Sequence, residues 1–408
     1  MYAENNFPQY AESSYIDHLT NGKAMKTKSF STSNIDPYEA GMEIGQAFKD
    51  IKPEAIIMFA SVNYADFSEL YEGIYDELGN KDVIIFGGTG DGYYESDRVE
   101  NVGVGALAFN SQGKVEWTVD VEAGLAEDSF RTGQACAQKI KNAAADEIKL
   151  AFVMAGMSGD GAKMTAGIRT EFSAPCVGGL TGDDRHFQHG IVLVNGRMHE
   201  DAIGILALSG DVQFAMNLAS GWAPVGEIAT VEEAEGNRIF KIDGMSTVDF
   251  IHKQFGKPPS EVDITTLSMA AYQQPECETY VMRTPFKMDE DGSLTYFGSV
   301  EEGTPVRVCT ATREEVLGGV SEALQGLPEL DFDPSAALII SCAGRKWVLG
   351  ERTKEELERT SSELKPTLPL LGLPSFGEIA PHKNEDGTYT GTYFHNVTFI
   401  ILLLGGSK

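Results

Sequence analysis

Two stretches of the chain place an acid behind a pair of glycines at the end of an apolar run: GGTGDG at residues 87–92 and GGLTGDD at residues 178–184. A third apolar run ends in SFGE at residues 375–378. Glycines let backbone amides come close to a ligand, and a carboxylate beside them can take an amino group; the same letters also turn a corner, with glycine supplying positive φ at little cost. Near the carboxyl end, SCAGR at residues 341–345 closes another apolar run with a hydroxyl, a thiol and a guanidinium. Small residues, carboxylates and one arginine can together hold a small polar molecule by its charged ends. The predicted ligand-binding residues are therefore Asp183, Asp184, Ser341, Cys342, Arg345 and Glu378. Of the two Gly-Gly stretches, the second keeps paired acids and is expected to line the functional site, whereas Asp91 is expected to act chiefly as a turn residue.

Catalytic patterns are incomplete. GGTGDG lacks the Lys-Ser/Thr of a phosphate-binding loop and misses the spacing of a dinucleotide fingerprint. GMSGD at residues 156–160 lacks the closing glycine of a nucleophile elbow. Cys342 with His395 as base would need the two to meet in space. Neither His186 and His189, spaced i, i+3, nor His252 nor His395 belongs to a metal-ligand spacing. No catalytic residue, metal or cofactor is assigned, and the chain is expected not to be an enzyme.

The elements that must carry these residues recur. A strand near residues 26–32 leads into a helix opened by Asp36-Pro37, then come the strand AIIMFAS, a second helix, the strand VIIFGGTGD, a polar loop and the strand VGVGALAF. The order repeats from VEWTVDV, residues 115–121, to AIGILAL. A third copy is read from TPVRVCT, residues 304–310, through a helix capped by Thr312 and Glu315, AALIISCAGR, a helix opened by Thr353 with Glu356, and LPLLGLPSFGE, to NVTFIILLL. Strands joined through helices pair in parallel, and the loop-joined last strand is expected to be antiparallel. The predicted fold is α/β, with mixed β-sheets covered by helices and built from repeated β-α-β-α-β-β units in two domains. Residues 1–25 are read as a flexible extension, 26–250 as an N-terminal domain of two units, and 251–408 as a C-terminal domain of one.

Composition narrows the function classes. At 408 residues, 42% hydrophobic and 23% charged, the chain reads as a globular protein of more than one core. Its net charge of −29 opposes binding to nucleic acid or anionic lipid. The apolar run at residues 399–406 is far shorter than a membrane span, and the polar amino terminus is not a secretory signal. Five scattered cysteines, without a C-x-x-C pair, fit a reducing cytoplasm better than a disulfide framework.

GGLTGDD with the following segment to residue 208, GWAPVGEIATVEEAEGNRIFKIDG, SCAGRKWVLGERTKEEL and the closing GEIAP and FHNVTFIILLL resemble the FIST family. The resemblance runs from about Lys26 onward. It implies an N-terminal and a C-terminal FIST domain and a role as an intracellular sensor of a small ligand, here expected to be amino-acid-like. With no kinase, cyclase or methyl-accepting segment in the chain, the output is expected to pass through a partner such as a histidine kinase, cyclase or chemoreceptor. A branch of the family is similar to haem-binding nitric-oxide sensors, which makes haem the alternative cofactor. The first stretch departs from the family pattern, with Gly88 where a cysteine and Asp91 where a glutamate is more usual.

Overall fold

The computed structural model describes residues 25–62, 64, 66–187, 190–256, 267–272, 280–364 and 367–407. The amino-terminal extension up to residue 24, Asn63, His189, Cys277 and the polar segment 257–266 lie outside them.

The first stretch of chain runs β1 (Lys26–Thr32), α1 (Pro37–Phe48), β2 (Ala55–Ser61), α2 (Phe67–Leu78), β3 (Ile84–Gly90), a hairpin of β4 (Tyr93–Glu95) and β5 (Arg98–Glu100), and β6 (Val104–Asn110). The second repeats the order with β7 (Val115–Ala123), α3 (Leu125–Ala143), β8 (Ile148–Ala155), α4 (Gly161–Arg169), β9 (Cys176–Leu180), the hairpin β10 (Val192–Val194) and β11 (Arg197–His199), and β12 (Ala202–Gly210). The helix starts are local. The Asp36 carboxylate accepts the Glu39 N–H at the head of α1, where a proline in the first turn costs no hydrogen bond.

The third stretch departs from expectation. Its opening strand is β13 (Gln213–Ala219), directly after β12. Between β13 and the rest lies an inserted nine-stranded sheet of β14 (Ala223–Pro224), β15 (Ala229–Glu235), β16 (Arg238–Ile242), β17 (Met245–Ser246), β18 (Ser268–Tyr272), β19 (Tyr280–Arg283), β20 (Pro285–Met288), β21 (Leu294–Tyr296) and β22 (Pro305–Thr310), with α5 (Thr247–Phe255) against it. The TPVRVCT run is β22 and pairs with β15 and β18, burying Val306 and Val308 in that sheet's own core. Residue 250 falls inside α5. The chain then forms α6 (Arg313–Gln325), β23 (Ala336–Cys342), α7 (Ala343–Leu349), α8 (Lys354–Glu363), β24 (Leu370–Ser375), the hairpin β25 (Glu378–Lys383) and β26 (Tyr389–His395), and β27 (Phe399–Gly405). Thr312 and Glu315 make the expected reciprocal cap on α6.

The three six-stranded sheets share one strand order: β1-β6-β2-β3-β10-β11, β7-β12-β8-β9-β25-β26 and β13-β27-β23-β24-β4-β5. In each, the two central strands are parallel and the loop-joined strand is antiparallel beside them. The outer hairpin of each sheet comes from another stretch of chain. The second stretch completes the first sheet, the third completes the second, and the first completes the third.

Alternation along the central strands divides their side chains between two layers. Ile57 and Phe59, Phe152 and Met154, and Leu338 and Ile340 point to a common apolar centre between the three sheets. Met58 and Ile56, Ala151 and Val153, and Ala337 and Ile339 face outward and are covered by α1 and α2, α3 and α4, and α6 and α8 respectively. Strands buried on both faces read as unbroken apolar runs for this reason.

The Gly-Gly pairs occupy matching places but do not turn the chain. Gly87 lies opposite Met58 and Gly178 opposite Val153, both within strands. A Cβ on either would come within 1.8 Å of the neighbouring carbonyl oxygen. Close approach between strands, rather than a corner, is what requires glycine here.

Candidate functional site

The carboxyl ends of β3, β9 and β23 bring together three short segments. Asp91 follows β3 at once, and its backbone N–H donates to the Pro374 carbonyl of β24, 3.1 Å away. The loop after β9 is tied to the same place, since Gly182 N donates to the Thr89 carbonyl and the Thr89 hydroxyl donates to the Gly182 carbonyl. From β23 the chain passes straight into α7, which presents Lys346 and Trp347.

These segments meet in one polar cluster. The indole Nε1 of Trp347 donates to Asp91 Oδ2 at 2.6 Å. The Lys346 ammonium donates to the Asp91 carbonyl and to Asn101 Oδ1, the latter at 2.7 Å, and lies 3.7 Å from the Asp91 carboxylate. The Asp184 carboxyl faces that of Asp91; burial first, and then that neighbour, push its pKa up to about 6. Burial lowers the Lys346 pKa, and the two aspartates offset part of the effect. Two carboxylates share such a contact when one of them holds a proton.

The loop carrying Asp184 is strained. Asp184, Arg185 and Phe187 all have positive φ, at 54°, 68° and 53°, a region that costs a side chain with Cβ about 1 kcal/mol or more. Asp183 holds it closed by accepting the Phe187 N–H at 2.8 Å, and its carbonyl accepts the His186 N–H at 3.2 Å. Phe187 packs with Phe297, Trp347 and Phe376, and the Arg185 guanidinium lies 4.3 Å from the centre of the Trp347 ring. Phe297 follows β21, so this aromatic cluster also touches the inserted sheet.

The predicted site residues are dispersed over several environments. Asp184 is in the cluster, and Asp183 beside it is buried and closes its own loop. Asp91, expected to be the turn residue, is the acid that meets Lys346 and Trp347. Ser341 and Arg345 lie in a separate, closed network. Arg345 is 0% exposed; its guanidinium donates to Glu356 Oε1 at 2.8 Å and to the carbonyls of Ser220 and Val316. Ser341 Oγ and the Tyr94 hydroxyl donate to Glu356 Oε2. Glu356, expected to cap a helix with Thr353, is instead the buried counter-ion of Arg345, while the Thr353 hydroxyl donates to the Gly350 carbonyl. Cys342 and Glu378 form a third group. Glu378 accepts from Ser375 Oγ, Thr398 N and Thr398 Oγ1, and burial raises its pKa to about 7. Burial and the adjacent Glu378 push the Cys342 thiol well above its ordinary range, opposite to what a thiolate nucleophile needs.

The histidines are spread out. His186 is exposed, and its ring Nδ1 lies 2.7 Å from the Asp183 carbonyl. His252 is exposed on α5. His395 is buried, with Nε2 3.1 Å from the Ala380 carbonyl and its ring against His382. Among the described residues no group of three or more His, Cys, Asp or Glu could hold a metal ion, and no helix is long and apolar enough to cross a membrane.

Lys346 and Trp347 belong to none of the expected site residues, although they directly follow Arg345. Successive positions on a helix point about 100° apart, so an arginine turned inward leaves its next neighbours facing elsewhere. Comparison with known proteins bears on the whole arrangement: residues 54–245 match the FIST N domain and residues 249–381 the FIST C domain. The chain belongs to the FIST family. FIST domains are sensory domains of signal-transduction proteins. This FIST chain is 25% identical over 338 residues to an uncharacterized protein of Methanocaldococcus jannaschii, a match that covers 76% of this chain and 64% of that protein. It thus spans less than two thirds of that relative's length. Among solved structures, a cyanuric acid hydrolase from A. caulinodans aligns with a TM-score of 0.29 and 12% identity over 70% of this chain and 99% of that one. PurLQS from Thermotoga maritima aligns with a TM-score of 0.21 and 10% identity over 94% and 72%. Scores this low carry no argument about this FIST chain.

Proposed function

We propose that this FIST chain is a cytoplasmic, non-catalytic sensory module that takes up a small polar, amino-acid-like ligand where Asp91, Asp184, Lys346 and Trp347 meet, and that signals through a partner protein. The observation that carries the reading is the convergence itself: three segments distant in sequence deliver two carboxylates, an ammonium and an indole to one place beside a strained loop. Strain held at a polar cluster is more common at functional sites than in plain packing. The Arg345–Glu356 pair is a weaker candidate because it is fully enclosed, at 0% and 1% side-chain exposure. Among the described residues, four buried cysteines with free thiols fit a reducing compartment. A metabolite panel screened by thermal shift tests the reading. The expected result is a compound that raises the melting temperature of the native chain but not of the Asp184→Asn and Lys346→Ala variants. A compound that stabilises all three equally would place the ligand elsewhere.

A further inference from the structure

The chemistry of this cluster narrows the class of ligand, on the basis of the sensory reading above. An ammonium has three N–H donors and no acceptor. Those of Lys346 face the Asp91 carbonyl, Asn101 Oδ1 and the Asp91 carboxylate, so they are committed within the protein. The Trp347 N–H is committed to Asp91 as well. Two carboxylates offer more acceptor sites than these donors fill, because Asp184 brings its own pair of oxygens to face Asp91. Acceptors are in surplus and donors are spent, so an incoming group that donates is favoured over one that accepts. The aromatic face beside the carboxylates already carries a cation: the exposed Arg185 guanidinium lies over the Trp347 ring, on a residue of positive φ.

We propose that the site takes a small organic cation, a primary ammonium or guanidinium on a short apolar body, whose N–H groups bridge the Asp91 and Asp184 carboxylates and whose body lies on Trp347, the seat that the Arg185 guanidinium now fills. Binding is then an exchange. When Asp184 starts protonated, one proton leaves to solvent for each cation bound, and Arg185 moves off the ring. The charged groups facing Asp184 are Asp91 from the end of β3, Lys346 from α7, and His186 within its own loop; Arg185 in turn faces Lys346. The Asp184 carboxyl is raised into the mildly acidic range, so cation affinity rises with pH through that range.

n-Butylammonium and butyrate, alike in size and opposite in charge, are suitable probes against the full-length chain. Saturation-transfer NMR detects millimolar binding, and calorimetry in buffers of different protonation enthalpy counts the proton released. The expected result is binding of butylammonium and not of butyrate, tighter at neutral than at acid pH. Affinity should weaken about tenfold in Asp184→Asn, as for loss of one charged hydrogen bond, and increase in Arg185→Ala, whose side chain is exposed and whose removal threatens no core. If butyrate binds instead, and binding still depends on Asp184, the ligand site stands and the cation assignment is overturned. If neither probe binds the native chain or Arg185→Ala, the cation assignment also fails, and the metabolite panel decides the sensory reading separately. Cation binding without proton release at acid pH overturns the exchange.

Discussion

Asp91 and Asp184 leave strands of two different sheets and meet carboxyl to carboxyl. The contact has a thermodynamic sign. Asp184 has its pKa raised from 3.8 to about 6, so the folded chain holds this proton more tightly than the unfolded one. The resulting stabilisation is fully present below the unfolded value of 3.8 and is lost as pH rises through about 6. Native protein should therefore lose stability over that window relative to Asp184→Asn, by on the order of 1 kcal/mol once solvent screening of this partly exposed group is allowed for. Urea midpoints of both proteins across the window are the measurement, and parallel curves would count against the shared proton.

Arg345 and Glu356 are a buried pair at 0% and 1% side-chain exposure. Removing one partner strands the other charge, so Arg345→Met should cost about 3–5 kcal/mol, and Arg345→Met with Glu356→Leu should recover much of it. Denaturant unfolding of the single and double variants decides this. A single variant as stable as the native chain would show that the network is not structural.

Cys342 should stay unlabelled by iodoacetamide at neutral pH in the native protein and react only on unfolding, because burial and Glu378 disfavour the thiolate. Rapid labelling would reopen a nucleophilic role.

Glu378 itself is raised from 4.5 to about 7. Its contribution to stability is complete below 4.5 and fades as pH passes about 7. Glu378→Gln should flatten that decline in a pH series of melting temperatures.

Gly178→Ala would place a Cβ 1.8 Å from the Val153 carbonyl oxygen. The loss should exceed about 4 kcal/mol or abolish soluble expression. Gly318→Ala in α6 is the control, because a Cβ there meets nothing within 4 Å; it should stabilise by about 0.5–1 kcal/mol. Comparable behaviour of the two would show that the strands tolerate the Cβ.

Much of the secondary structure is legible from local pattern. AIIMFAS, LAFVMAG and AALIISC read as buried strands because both faces of each are covered. Asp36 and the Thr312–Glu315 pair mark helix starts because capping acts over three residues. The glycine-acid echo lies at the carboxyl ends of β3 and β9, next to where Asp91 and Asp184 stand.

The long-range assignments came from the tertiary structure. TPVRVCT and VQFAMNL, residues 212–218 and most of β13, both read as strands, and only the free edge of β27 selects the second for the third sheet. Glu356 stands where a capping residue would stand, but a buried guanidinium one helix away takes it. Asp91 and Asp183 each follow a glycine. Which of them meets Lys346 and Trp347 depends on the outer hairpins being exchanged between sheets, which brings the ends of β3, β9 and β23 together. Periodicity and capping are set by neighbours within a few residues and can be read along the chain; the partner of a charge or a sheet edge is set by which distant surfaces pack, and that is decided when the sheets close around their common core.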